Sequence, residues 1–147
     1  MPGECVADSD STLYDKVTEA MVINGYDYSE NVEEHSVGFV VSGGNSEFNM
    51  SIDILEGISA ITFLGWFENV PVPEGSIPDL LVEVNKANAA VDMGAFYYDE
   101  DDGCVTYKYD YPVLSDVEPE FIASLMDSVM CVIDDVGSEI LASIGLS

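Results

Sequence analysis

The chain has 147 residues, close to the commonest length of one domain, and a hydrophobic fraction of 48%, which is enough for an ordinary core. Aspartate and glutamate number 29 against three basic residues, all of them lysines, so the formal net charge is -26. This charge disfavours nucleic acid and anionic membranes as partners. Two explanations of the acidity remain, which are binding to positively charged proteins and simple solubility.

The N-terminal sequence lacks the basic and apolar regions of a secretory signal, so we expect no signal peptide. A single domain spanning residues 1–147 is predicted, with residues 1–10 as a loose lead-in. Cys5, Cys104 and Cys131 are odd in number and widely spaced, which fits neither a disulfide framework nor a zinc knuckle. We therefore expect a cytoplasmic protein. A high-salt cytoplasm is an alternative explanation of the acidity, because salt screens the self-repulsion of the chain.

The first half of the chain predicts one helix and three strands. Thr12–Asn24 has capping-box spacing at its start and a glycine after its end, and is predicted to be helical. The polar segment 26–35 carries no pattern that assigns its structure. Strands are predicted over Val37–Ser42, Glu47–Leu55 and Ile58–Phe67, the last two joined by a two-residue turn. The third strand is apolar on both faces, so we expect it to be central in the sheet or to cover a partner.

The second half predicts a helix, a hairpin and a final helix. The helix begins at a Ser76 cap, and the hairpin pairs Ala95–Asp99 with Cys104–Tyr111 across an Asp-Gly turn. The final helix is predicted over Glu118–Ile144, with a kink or an end at Gly137. The order α-β-β-β-α-β-β-α, with tight turns between strands, predicts an α+β fold in which helices pack on an antiparallel sheet.

Candidate catalytic and metal sites fail on spacing. The acidic run from Asp99 to Asp102 does not place glycine and glutamate at the EF-hand positions, so we expect a solvated turn. His35 is the only histidine, and we expect it on an exposed loop, because no nucleophile motif accompanies it and one histidine cannot build a histidine-rich metal site. The sequence also lacks phosphate-binding glycine motifs and arginine. It therefore predicts no catalytic residue, no metal site and no cofactor.

Two features could contribute to binding. Phe63, Trp66 and Phe67 place bulky aromatic side chains near the end of the third strand, where they either anchor a protein partner or pack in the core. Asn85 and Asn88 lie one helical turn apart beside the buried stripe of the second helix. We expect this polar pair to have a structural role, bonding the backbone of a neighbouring loop or strand, with ligand contact as the alternative.

Three features occur together in the second half of the chain. They are the segment Val84-Asn85-Lys86-Ala87-Asn88, the hairpin turn ending in Gly103, and a final helix opened by Glu118. With these features the chain resembles the YbjN-like family over about Thr12–Ile144. Members of this family carry the label "putative sensory transduction regulator", and their fold is similar to that of type III secretion chaperones. The resemblance implies a small, acidic, cytoplasmic binding module, often dimeric, without established catalytic residues.

Three hypotheses of function follow. The first is a non-enzymatic domain that binds a protein partner in a regulatory or stress-related role, with homodimerisation through the Trp66 region or the last helix as an open question. The second is a secretion-type chaperone that holds an unfolded segment of a partner protein on the sheet or along one of its edges. The third is an enzyme of unfamiliar type, which would need a concave cluster of polar groups around His35 or the two asparagines.

Overall fold

An antiparallel sheet of six strands forms the centre of the structure, a computed structural model that describes residues 12–146. The strands are β1 (Ser29–Asn31), β2 (Ser36–Ser42), β3 (Glu47–Leu55), β4 (Ala60–Trp66), β5 (Ala95–Asp99) and β6 (Cys104–Pro112). The helices are α1 (Leu13–Asn24), α2 (Ile77–Ala90), α3 (Pro119–Val132) and α4 (Ser138–Ser143). Short 3-10 turns cover Glu56–Ile58 and Glu74–Ser76, and a π turn, Ile133–Gly137, joins α3 to α4. The α+β class and the antiparallel sheet predicted from the sequence are confirmed.

The signals that begin and end α1 work as the sequence predicted. The Thr12 hydroxyl accepts a hydrogen bond from the Asp15 backbone N–H at 3.1 Å, and the Asp15 carboxylate accepts one from the Thr12 N–H at 3.3 Å. At the other end Gly25 adopts a φ of 75°, in the left-handed region that glycine tolerates best.

The strand order is β1-β2-β3-β4-β6-β5, and every neighbouring pair is antiparallel. The two-sided strand β4 lies between β3 and β6, which satisfies the expectation that it is central. In β3 the side chains of Phe48, Met50, Ile52 and Ile54 are buried while their neighbours are partly or fully exposed. This period of two is what separates the faces of the sheet.

The helices bury their apolar stripes against one face of the sheet, the inner face. Val17 of α1, Leu80 of α2, Met126 of α3 and Ile140 of α4 belong to the same core cluster as the inward side chains of β2 to β6. Burial of this apolar surface is the main stabilising contribution to such a fold.

Two glycines let the C-terminal helices lie close to the sheet. A Cβ atom at Gly65 of β4 would lie 2.5 Å from Ile133, and one at Gly137 would lie 2.5 Å from the ring of Phe67. Neither distance is compatible with a side chain, so the π turn approaches the inner face only because both positions lack one.

The π turn also fastens the hairpin between β2 and β3. The Asp134 carboxylate accepts hydrogen bonds from the backbone N–H groups of Asn45 and Ser46 at 3.1 and 3.0 Å. A Cβ atom at Gly43 would overlap the Asp134 carboxylate, so the hairpin glycine leaves room for this contact. A carboxylate that accepts several such bonds is a strong link between segments far apart in the chain.

Several boundaries predicted from the sequence are wrong. The third predicted strand begins at Ala60, because Glu56–Ile58 forms a 3-10 turn and Ser59 takes a φ of 54°. Ser76 does not cap α2 with its side chain and is instead the last residue of a 3-10 turn. The final helix is interrupted by the π turn at Ile133–Gly137, so the irregularity expected at Gly137 is present but begins four residues earlier. Segment 26–35, which the sequence left without assignment, contains β1 and its turn into β2.

The carboxylates of the described residues far outnumber the cations that could pair with them. Lys86 lies 3.3 Å from Glu83, and the other two lysines, Lys16 and Lys108, each lie 3.9 Å from an aspartate. Such exposed pairs contribute little to stability. The dominant electrostatic effect on the folded chain is therefore the mutual repulsion of the remaining carboxylates.

We expect added salt to stabilise the protein. Raising KCl from 0.1 to 1 M shortens the Debye length from about 10 to about 3 Å and weakens this repulsion. Urea unfolding at each salt concentration should therefore give a free energy of unfolding that rises with KCl at pH 7. The rise should shrink at about pH 4, where carboxylates begin to take up protons. A free energy that does not change with salt, or that rises equally at both pH values, would contradict this explanation.

Candidate functional site

The face of the sheet opposite the helices, which we call the open face, is built from every second residue of the strands. Within the described part of the chain it is not covered by any helix. Two neighbouring rows of cross-strand partners cross its middle from β2 through β3, β4 and β6 to β5. The first row is Val40, Asn49, Trp66, Thr106 and Tyr97, and the second is Gly38, Ser51, Leu64, Lys108 and Ala95.

Trp66 is half-buried at the centre of the first row, and its indole is held in place by a carboxylate. Its Nε1–H donates to Glu68 Oε1 at 3.3 Å, and the side-chain amide of Asn49 donates to the same oxygen at 3.0 Å. Because Glu68 joins the two side chains, the indole loses less conformational freedom when a partner covers it. The structure therefore places one aromatic residue of the predicted binding set on an accessible surface.

Phe63 and Phe67, the other two residues of that set, are buried in the core. Both side chains are 0% exposed, and they pack against Tyr109 and Phe48 with ring centroids 6.2 and 5.7 Å apart. Alternation along the strand explains the division, because Trp66 and Phe67 are consecutive and must point to opposite faces. The partner-binding interpretation of these two phenylalanines is therefore wrong, and their core-packing alternative applies.

A shallow depression of about 330 Å³ lies beside Trp66 on the open face. Its lining includes Ser29 of β1, Gly38 and Val40 of β2, Asn49 and Trp66. The depression exists because Gly38 contributes no side chain to its row, whereas Val40 on one side is 59% exposed. We call this depression the Gly38 notch.

Acidic groups flank the apolar part of the open face. Its strand positions and the loop that follows β4 carry five carboxylates, those of Glu47, Asp53, Glu68, Asp99 and Asp110. The one ammonium group on these strand positions, that of Lys108, lies 3.9 Å from an Asp110 oxygen. The other Asp110 oxygen accepts from the Thr62 hydroxyl at 2.6 Å. The surface around Trp66 is therefore both aromatic and negatively charged.

The two asparagines of α2 have different roles. The Asn88 side chain donates to the Phe96 carbonyl at 2.9 Å and accepts from the Phe96 N–H at 2.8 Å. Phe96 belongs to the edge strand β5, so the amide imitates a neighbouring strand and satisfies backbone groups that would otherwise face outward. Asn88 therefore has the structural role that the sequence suggested. Asn85 is exposed, and the described residues provide its side chain with no hydrogen-bond partner, so the paired role does not extend to it.

His35 lies at the end of the sheet, away from the open face and from the two asparagines. It takes a φ of 50°, its Nδ1 is 3.6 Å from Glu56 Oε2, and its ring centroid is 5.2 Å from that of Tyr14. Glu56 also accepts from the backbone N–H groups of Leu13 and Tyr14, both at 3.4 Å. These contacts join the start of α1 to two turns and present no nucleophile beside the imidazole.

The remaining candidate chemistry is scattered. Burial raises the pKa of the Cys104 thiol, which makes it a poor nucleophile, and Cys131 is an exposed free thiol. Cys5 falls outside the described residues.

Over residues 12–146 the structure groups no three histidine, cysteine or acidic side chains in a way that could hold a metal ion. Among the helices of the same range, none has the length and apolar character that crossing a membrane requires.

Sequence reasoning missed Gly38, Val40, Tyr97 and Glu68, which complete the surface around Trp66. A glycine inside a strand marks either a bulge or a place where another group approaches the backbone closely. Val40 is apolar although it lies on the same face of the sheet as the polar residues of β3. Both signals are legible only once the cross-strand partners are known, because the open face is assembled from strands that are distant in sequence.

Comparison with known proteins relates this chain to one family and one fold. The model of the YbjN family, described as "Putative bacterial sensory transduction regulator", matches residues 14–142. The structure of YbjN from E. coli, described as a putative transcription regulator, superposes with a TM-score of 0.69 at 18% identity, covering 90% of this chain and 94% of that one. No curated protein matches the sequence of this chain.

Two further solved structures share the fold. A chain of the HopA1–SchA chaperone–effector complex gives a TM-score of 0.57 at 11% identity, covering 86% of this chain and 92% of that one. A chain of the ExsC–ExsE complex gives 0.52 at 12% identity, with 84% and 86% covered. The architecture is thus that of type III secretion chaperones.

Replacing Asn88 with alanine should destabilise the protein, because it leaves the N–H and the carbonyl of Phe96 without partners. Each unpaired backbone group costs about 1–3 kcal/mol, so we expect the two together to lower the free energy of urea unfolding by at least about 2 kcal/mol. Asn85→Ala is the matched control, since it makes the same change one turn earlier on the exposed side of α2, where alanine is the better helix former. Equal losses in the two variants would contradict the role assigned to Asn88.

Proposed function

Because this chain belongs to the YbjN family and no helix of residues 12–146 covers one face of its sheet, we propose that it is a non-enzymatic, protein-binding domain with a sensory or stress-regulatory role. The open face is its docking surface, with Trp66 at the centre. The single observation that carries the proposal is an indole fixed by Glu68 and Asn49 on a face that no described helix covers.

The composition of the open face supports binding of a protein. Trp66, Leu64, Val40 and Tyr97 contribute apolar surface, and carboxylates and hydroxyls surround it. Interface hot spots have this arrangement, with a large aromatic residue at the centre and a polar rim that excludes water.

The distribution of ionisable groups supports a role other than catalysis. Among residues 12–146, the side chains whose pKa is raised are four tyrosines and Cys104, and burial is the first cause in each case. Tyr14 and Tyr107, whose pKa values rise to about 12, lie apart on α1 and on the inner side of β6, and their hydroxyls donate to Glu30 and to the Met93 carbonyl. Catalysis would need such groups to converge on one cleft.

A secretion-type chaperone is the second candidate, and the edges of the sheet favour it. Asn88 closes the β5 edge, whereas β1 presents three exposed residues at the opposite edge. An extended segment of a partner could add a strand there. The likeness to a chain of a chaperone–effector complex suggests this use, although at 11% identity it is evidence of the fold alone.

The proposed function is tested by replacing open-face residues and capturing partners. The tagged protein would be cross-linked in extracts of the organism of origin between 0.15 and 1 M salt, and the captured proteins identified by mass spectrometry. We expect at least one protein to be enriched by the wild type and lost in Trp66→Ala, because truncating a central tryptophan costs about 2 kcal/mol or more, or roughly 30-fold in affinity.

Leu114→Ala provides the matched control, since Leu114 is 91% exposed on the loop after β6 and away from the open face. Val40→Ser is a second open-face variant that carries little risk for folding, because Val40 is already 59% exposed. A set of captured proteins that is the same for the wild type, both open-face variants and the control would refute the proposed docking surface.

A further inference from the structure

Building on the proposed function, we propose that the open face binds an extended, basic segment of a partner protein that inserts one apolar side chain into the Gly38 notch. The inference concerns the chemistry of the partner and the point of its insertion. It follows from three properties of the open face, which are the shape of the notch, the positions of the carboxylates and the overall charge.

The notch is a place for a side chain. It is open to solvent, it has a volume of about 330 Å³, and Val40 and Trp66, which lie together in the neighbouring row, give it an apolar wall beside the missing Gly38 side chain. An apolar group seated there would cover the exposed side of Trp66 and the 59% of Val40 that water now contacts. Burial of that surface would supply the favourable free energy of docking.

Carboxylates lie on both sides of the notch along the strands. Glu68 joins Asn49 to Trp66 at one side, and Glu47 lies two residues further along β3. On the other side Asp53 occupies the row next to that of Gly38 and Ser51. Because same-face residues of a strand are about 7 Å apart, a cation two residues from the apolar residue would reach Asp53 on one side. A second cation, two residues away on the other side, would reach the row of Trp66, where the Glu68 carboxylate lies.

The overall charge selects a basic protein and disfavours the other candidates. A second copy of the chain would bring another formal charge of -26 to an already acidic face, and like charges across an interface are unfavourable. Lys108, the one ammonium group among the strand positions of the open face, already lies beside Asp110. A cationic segment is therefore the occupant with complementary charge, and the same charge would speed its association.

A peptide titration read by Trp66 tests the inference. The probe is a synthetic peptide of the pattern Lys-Ser-Leu-Ser-Lys with uncharged ends, compared with peptides in which serine replaces the leucine or glutamate replaces both lysines. The chain has one tryptophan, so emission excited at 295 nm reports on the open face alone. We expect a saturable blue shift with the first peptide, and no shift with the other two.

Gly38→Val fills the notch without straining the fold. A Cβ atom there would meet only the Met50 carbonyl oxygen, at an ordinary 3.7 Å, and valine is favourable in a strand. We expect unchanged or increased stability and at least tenfold weaker binding of the leucine peptide. Gly75→Val is the matched control, because a Cβ atom at Gly75 would have no neighbour within 4 Å and Gly75 lies in the turn before α2.

The outcomes separate this inference from the proposed function. Equal binding of the leucine peptide by the wild type and Gly38→Val, equal binding of the acidic peptide, or absence of any shift with the wild type would overturn the inference. If Trp66→Ala still loses a captured protein in any of these cases, the docking surface stands and the chemistry assigned to its partner is wrong. If Trp66→Ala loses no captured protein, the proposed function fails.

Discussion

The burial of one side of the sheet under all four helices is the constraint on which the rest of the structure depends. Successive side chains of a strand point to opposite faces, so once Phe48, Met50, Ile52 and Ile54 enter the core, the residues between them must form a second surface. Gly65 and Gly137 allow the C-terminal helices to approach the inner face closely. The chain has no further described element with which to cover the other side, and the open face results.

The charge of the chain gives that surface its character. A formal charge of -26 weakens the folded state through self-repulsion and at the same time opposes association between copies of the protein through bare apolar surface. An exposed aromatic group is compatible with solubility under these conditions, provided that carboxylates surround it. The Glu68 carboxylate does both tasks, since it orients the indole of Trp66 and adds negative potential beside it.

Local signals in the sequence predicted the local features of the fold. The alternation in β3, the capping pair of Thr12 and Asp15 and the stop at Gly25 depend on neighbours within a few residues, and each was correctly predicted. The strand β1 was missed because its three residues are polar and gain their structure only from pairing with β2. Gly137 indicated an irregularity in the final helix, but the π turn itself was not predicted, because its apolar spacing is helical and its extra residue is accommodated by packing against β4.

The candidate site was predictable only in part, for a related reason. The pattern of β4 identified a strand that is apolar on both faces, but it could not say which face the helices would take, so Phe63 and Phe67 were grouped with Trp66. In the same way, the spacing of Asn85 and Asn88 indicated that a side-chain amide would bond a neighbouring backbone. Only the position of β5 decides that Asn88, and not Asn85, forms these hydrogen bonds. Both decisions are made by contacts between residues far apart in the sequence.

Quenching of the single tryptophan is the measurement that tests most directly whether an accessible, acidic open face exists. At constant ionic strength, caesium and iodide would be compared as quenchers of Trp66 emission, each expressed relative to its quenching of free N-acetyltryptophanamide, with neutral acrylamide as the reference for accessibility. The structure predicts efficient quenching by acrylamide and by caesium, and much weaker quenching by iodide, because carboxylates concentrate the cation and repel the anion. Weak quenching by all three would mean that Trp66 is buried, and equal quenching by the two ions would mean that the face around it is not acidic; either result would contradict the account.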